Sequence, residues 1–239
     1  MLARWSRRLL PPSLNTRPTE WSRAAIGVAL GTLISVWTCA QLFGLSVALH
    51  LIGPLGASAV LLFAVSSGAL AQPWSLIGSY FCVTLVSMLV VHFLDRSLGS
   101  AGLAVGLALL SMCLLRCLHP PAGALALLMV IADPETIALG WRVLEPVMLA
   151  AACLLLVAIG YNNLTRVRYP KGHVEPPSTF ISPHRPGEPP GITRDDLEQA
   201  MAQMEEFIDV TPEDLEQLIN ACEAQARRRS IGEVFASGR

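Results

Sequence analysis

The stretch LRCLHPPAGALALLMV, residues 115–130, sets two consecutive prolines beside a histidine and an arginine in one of the most apolar regions of the chain. Proline lacks an N–H and its ring collides with the preceding turn, so Pro120 and Pro121 end a helix arriving from the N-terminal side and suit only the start of a new one. About a dozen apolar residues follow before Asp133. At ~1.5 Å per residue they span ~18 Å, roughly half of the ~30 Å hydrocarbon layer of a bilayer. The stretch therefore predicts a helix that begins inside a membrane.

The remainder of the sequence supports the bilayer as solvent. Hydrophobic residues make up 53% of the chain and charged residues 15%, with a mean hydropathy of +0.52, too apolar for a soluble domain of this length. Long apolar runs from about Ala24 to Phe43, Trp74 to Leu94, Gly99 to Leu118 and Trp141 to Tyr161 each approach the ~20 residues a transmembrane helix needs. A second short run, starting at Gly53, resembles the one after His119. Pro54, Gly56, Ala57, Ala59 and Leu61 fall on Pro121, Gly123, Ala124, Ala126 and Leu128, so the pattern P-x-G-A-x-A-x-L occurs twice. Upstream, AAIGVALGTLIS from Ala24 loosely resembles AGLAVGLALLSM from Ala101.

Each half thus reads as long helix, short helix, long helix. Three crossings per half force the second copy to be inverted, and Pro-interrupted segments at equivalent places in inverted halves point to a transport site. Arginines 4, 7, 8, 17 and 23 before the first run, and Arg166, Arg168 and Lys171 after the last, place both ends in the cytoplasm and demand an even number of crossings. Four spans with two re-entrant hairpins satisfy the same parity. The expected fold class is all-α: a polytopic helical bundle of two inverted three-segment repeats with short broken helices, plus a C-terminal cytoplasmic helical hairpin. Its divisions are a basic arm at 1–23, a membrane domain at 24–163, a Pro-rich linker at 164–191, and the hairpin and tail at 192–239. The hairpin segments each open with a Thr cap and an acidic turn. With so small an apolar stripe the hairpin needs a docking surface. Faces of small residues at Gly27, Gly31, Gly102 and Gly106 point to a homodimer or homotrimer.

The blocks PLGASAVLLFAVSSGALAQPWSLIGSY from Pro54, LHPPAGALALL from Leu118 and AIGYNNLTRVRYPKG from Ala158 resemble the signature blocks of the HPP family of integral membrane proteins, over about residues 20 to 172. The resemblance implies a polytopic protein of the bacterial inner membrane, with nitrite transport as the role described for plastid and cyanobacterial relatives. The segment from Gly191 to Val234 resembles the connector that leads into nucleotide-sensing CBS motifs in longer members; no such motif follows here.

A helix start within the membrane exposes its first N–H groups and carries roughly half a positive charge, which suits an anion. On this reading Gly56, Ala57 and Ser58 from one half, with Gly123 and Ala124 from the other, offer donors. Pro54 and Pro121, with Pro120 ahead of it, sit in first-turn positions. His119 reads either as an anion ligand or as a cap on a neighbouring carbonyl, and Arg116 either as a side chain reaching the headgroups or as part of a cationic vestibule. His50 reads as a loop or interface residue or as a site residue, and Gln72, Asn162 and Asn163 as turn and helix-end residues. The six cysteines occur singly, without a CxxC pair; Cys113 and Cys117 could share a helix face, but without partnering ligands they read, like the others, as small packing residues with no metal or cofactor. The apolar runs hold no paired carboxylates, HExxH or GxSxG, so a transporter or channel for a small monovalent anion is expected rather than an enzyme. The alternative is a membrane-anchored sensor or assembly module that signals through its tail.

Overall fold

A computed structural model describes residues 18–171, together with Leu215 and Ile219, both helical. The linker beyond Lys171, most of the basic arm and the rest of the hairpin lie outside the described residues. Residues 18–171 form a bundle with helices and no strands. They comprise α1 (Pro18–Phe43), α2 (Leu45–Ala64), α3 (Pro73–Phe93), α4 (Leu98–Leu114), α5 (Pro121–Val130), the single-turn α6 (Pro134–Ala138) and α7 (Leu144–Leu164). Short 3-10 turns at Ala69–Ala71 and Gly140–Val143 precede α3 and α7. Four segments, Pro18–Phe43, Leu45–Ala64, Pro73–Phe93 and Gly140–Leu164, are long and apolar enough to cross a membrane, while α4 and α5 are shorter apolar helices.

Two boundaries differ from those read in the sequence. The run from Gly53 is not a short helix opening at Pro54: α2 begins at Leu45, directly after Gly44 with φ of 93°, and continues through Pro54 for 20 residues. A membrane helix absorbs such a proline because neighbouring groups compensate for the missing N–H. Conversely, the run from Gly99 to Leu118 is not helical throughout, because α4 stops at Leu114 after 17 residues. Its end is closed by Cys117 N–H on the Met112 carbonyl at 2.9 Å and Arg116 N–H on the Cys113 carbonyl at 3.2 Å, with Arg116 in the left-handed region at φ 54°. This is a Schellman-type closure that usually selects glycine. The half-length helix appears where expected, as α5, with 10 residues from Pro121.

Hydrogen bonds fix which helix ends lie together. At one end Arg23 of α1 donates to the Phe63 carbonyl of α2 and to Asn162 Oδ1 of α7, Asn162 donates to the Leu62 carbonyl, and Trp74 at the start of α3 donates to the Leu115 carbonyl beyond α4. At the other end Arg96, ahead of α4, donates to the Met129 and Val130 carbonyls at 2.8 and 2.9 Å. There His50 bonds the Leu128 carbonyl and Ser46 bonds Asp133. The start of α1 and the end of α7 therefore share one end of the bundle. In packing, α1 meets α2 and α7, α4 meets α5 and α3, α2 meets α5 and α7, and α3 meets α5 and α7.

Small residues set the tightest of these contacts. A Cβ on Gly27 would lie 2.4 Å from Phe63 Cδ1, and one on Gly31 would lie 2.6 Å from Phe63 Cε2. These two glycines are occupied by packing of α1 on the buried Phe63 ring inside one chain, not by a partner copy. A Cβ on Gly102 or Gly106 would meet nothing within 4 Å.

Candidate functional site

The three sequence blocks that flank the helix break converge at one end of the bundle. The chain leaving α4 turns inward at Arg116, and the trans-helical prolines restart it at Pro121, which leaves His119 wholly buried between the two helices. His119 Nδ1 lies 2.8 Å from the Leu70 carbonyl, and its Nε2 lies 2.8 Å from Ser58 Oγ of α2. Ser58 Oγ lies 2.8 Å from the Tyr80 hydroxyl of α3. All three side chains are within 1% of complete burial. The 65–72 loop that supplies Leu70 is itself held by Tyr169, whose hydroxyl donates to the Ala71 carbonyl at 2.7 Å, and by Gln72, which accepts from Lys171 N–H at 3.2 Å.

The protons of this cluster can be placed from donor and acceptor chemistry. A carbonyl only accepts, so with a neutral ring Nδ1 carries the hydrogen and donates to Leu70, leaving Nε2 as an acceptor. Ser58 then donates to His119 Nε2, and its oxygen accepts from Tyr80. The result is a directed chain, Tyr80 to Ser58 to His119 to Leu70, in which each buried polar atom is satisfied. Of the three side chains, only Ser58 and His119 stood out in the sequence. Tyr80 sits within a continuous apolar run, where its one sequence signal is a lone phenol in a largely apolar segment. Asn162 was read as a helix-end residue. It is fully buried and joins α7 to both α1 and α2.

The remaining expected residues are placed differently. Pro54 is buried inside α2, so Gly56, Ala57 and Ser58 belong to a continuing helix and do not open one. Ala57 and Ala124 are exposed, and Gly56 and Gly123 are half-buried with no atom within 4 Å of an added Cβ. None of these four is among the hydrogen-bond partners of the His119 cluster. Pro121 does start a helix, but the Ala122 and Gly123 N–H groups are already bonded to the His119 and Pro120 carbonyls at 3.0 and 2.9 Å. Arg116 is exposed.

His50 is far from His119, at the opposite end, where its Nε2 donates to the Leu128 carbonyl at 2.8 Å and its Nδ1 is 3.6 Å from Asp133 Oδ1. Asp133 caps α6 through the Glu135 and Thr136 N–H groups. Desolvation opposes its ionisation, but hydrogen bonds from Thr136 and Ser46, with the nearby His50, prevail and hold the carboxyl down to about 2. Among the described residues, no group of three His, Cys, Asp or Glu side chains is gathered as metal ligands would be.

A bundle of apolar helices broken at His-Pro-Pro, with His119 and Pro121 buried, defines an integral membrane protein built around a half-length helix. The family of the HPP transmembrane region matches residues 13–170, and the chain belongs to that family. It is 35% identical over 129 residues to one transmembrane protein of Dictyostelium discoideum, covering 50% of this chain and 44% of that relative. It is 32% identical over 131 residues to a second from the same organism, covering 51% and 41%. The chain thus spans less than half the length of these curated relatives. No solved structure matches it.

Proposed function

We propose that the protein is a non-enzymatic carrier or channel of the bacterial inner membrane, with both termini cytoplasmic, that moves a small monovalent anion. Nitrite is the candidate its family resemblance suggests. The observation that supports this most is the start of α5. A half-length helix opens inside the protein against hydroxyl and imidazole groups from separate helices, with no carboxylate among their hydrogen-bond partners. The positive end of α5 favours an anion, and the absence of a full fixed charge keeps binding weak enough for release. Arg116, exposed at the same end, is assigned to the vestibule through which the anion arrives.

The directed hydrogen-bond chain adds a condition. With Nδ1 committed to Leu70, neutral His119 offers its Nε2 lone pair, which repels an anion. Protonation makes Nε2 a donor and lets Ser58 and Tyr80 turn their hydrogens toward the ion. Anion and proton then enter together as a neutral pair, which avoids burying an uncompensated charge.

A packing pattern that fits an inverted repeat supports the transport reading. The packing pairs map onto themselves when α1 is exchanged with α4, α2 with α5 and α3 with α7. The P-x-G-A-x-A-x-L alignment also pairs Leu62 and Phe63 with Met129 and Val130, and these are the carbonyls at which Arg23, with Asn162, and Arg96 act as caps. The open faces at Gly102 and Gly106 are assigned to contact between copies in a homo-oligomer. The deciding measurement is flux of nitrite into liposomes holding the purified full chain, with internal pH recorded. We expect uptake that carries protons, and His119→Ala and Ser58→Ala variants that remain folded but carry ~10 to 100 times less, the equivalent of one lost charge-assisted hydrogen bond. A parent protein with no more flux than empty liposomes overturns the proposal.

A further inference from the structure

We infer that Cys82 and Cys117 form a dithiol site that closes reversibly to a disulfide and clamps the His119 segment onto α3. The two sulfurs lie 4.0 Å apart. Cys82 is 6% exposed and Cys117 is wholly buried. Cys113 is one turn from Cys117 in sequence, but the fold leaves Cys113 exposed and puts Cys82, from another helix, against Cys117. The closeness is built into the backbone. Gly78 lies one turn before Cys82 on α3, and a Cβ there would fall 2.9 Å from Cys117 Cβ, so this glycine allows the 115–120 segment to lie directly on the helix.

The site has a consequence because of what lies beside it. Cys82 is two residues from Tyr80, and Cys117 is two residues from His119, so the thiol pair and the Tyr80–Ser58–His119 chain tie the same two segments together. A disulfide needs its sulfurs at ~2.05 Å with Cβ atoms ~3.8 Å apart, a closure of about 2 Å by side-chain rotation from the present separation. It joins two uncharged thiols into an uncharged product, which the apolar surroundings accept more readily than a thiolate. The oxidant we assign is hydrogen peroxide, a small neutral molecule able to reach a buried site. One thiol attacks a peroxide oxygen, the O–O bond breaks, and a sulfenic acid and one water result. The second thiol then displaces the sulfenic oxygen as a second water and forms the S–S bond. Each sulfur is oxidised by one electron equivalent and the peroxide is reduced by two. A dithiol reductant reverses the process by exchange.

The test uses the full chain in lipid nanodiscs, treated with hydrogen peroxide, denatured, alkylated and weighed intact, with the disulfide-linked peptides mapped. The expected result is two fewer alkyl groups than on the untreated chain, a linked peptide joining Cys82 to Cys117, and restoration by dithiothreitol. Cys113→Ser keeps this behaviour, whereas Cys82→Ser and Cys117→Ser abolish it. Mapping of the parent chain decides the matter even if a serine variant fails to fold. No loss of label, a linkage through Cys113, or a bond between chains overturns the site. Slower amide exchange across residues 115–122 after oxidation is the expected signature of the clamp, and unchanged exchange with the disulfide formed overturns that part alone.

Discussion

Replacing Ser58 with alanine strikes the hydrogen-bond chain at its middle. The substitution removes one hydroxyl but strands two partners, the Tyr80 O–H and His119 Nε2, at positions that are 1% and 0% exposed. A buried polar group left without a partner costs ~1–3 kcal/mol, although hydrogen bonds within membrane bundles have averaged nearer ~0.6 kcal/mol. Ser58→Ala should therefore destabilise the bundle by ~2–4 kcal/mol. Tyr80→Phe should cost only ~0.5–1.5 kcal/mol, because Ser58 keeps His119 as its acceptor. The double variant removes one of the stranded groups, so it should cost no more than Ser58→Ala alone. Reversible unfolding in mixed micelles, followed by far-UV circular dichroism, measures all three variants. A Tyr80→Phe cost equal to or above that of Ser58→Ala, or strictly additive losses in the double variant, would refute the directed chain.

Arg116→Gly should stabilise the fold by about 1 kcal/mol, because φ of 54° costs glycine nothing, while lowering anion flux if the guanidinium serves the vestibule; thermal midpoints and liposome uptake check the two effects separately. Gly31→Ala should destabilise by ~1–3 kcal/mol, since its Cβ meets the buried Phe63 ring at 2.6 Å. Gly106→Ala, open within 4 Å, should leave monomer stability intact and weaken self-association measured by light scattering. Asp133 is held at about 2 against an ordinary 3.8. Its depressed carboxyl contributes stability that is complete above about pH 4 and lost as pH falls toward 2. Unfolding of Asp133→Asn should therefore show a shallower pH dependence across that window, and an unchanged slope counts against the cap.

The membrane character and the broken helix were legible because they depend on local features: apolar length, and prolines that cannot continue a helix. Ser58 and His119, assigned to one site from the sequence, lie 2.8 Å apart, through side chains and not through two helix starts. What was hidden depended on tertiary partners. Pro54 resembles a helix start because proline favours that position, but Gly44 supplies the break ten residues earlier and α2 runs through. Gly27 and Gly31 looked like a contact face between copies because no sequence rule names Phe63 as their occupant. Tyr80 and Asn162 acquire their roles only through residues remote in the chain.

The two halves are alike in their caps but unlike at their motif helices, and the difference assigns the site. Ahead of Pro54 the chain is free to be helical from Leu45, so α2 presents its motif as an unbroken wall and contributes Ser58 through a side chain. Ahead of Pro121 the equivalent stretch is consumed by the closure of α4 at Arg116 and the inward turn to His119. Of the two motif helices only α5 starts at its motif proline, with the turn to His119 directly ahead of it. A site with two converging helix ends would hold an anion through backbone donors from both halves. Here the first two N–H groups of α5 are bonded to carbonyls and the opposing helix is continuous, so on the proposed transport reading polar recognition passes to side chains. Control then moves from backbone geometry to His119, whose protonation would turn an acceptor nitrogen into a donor.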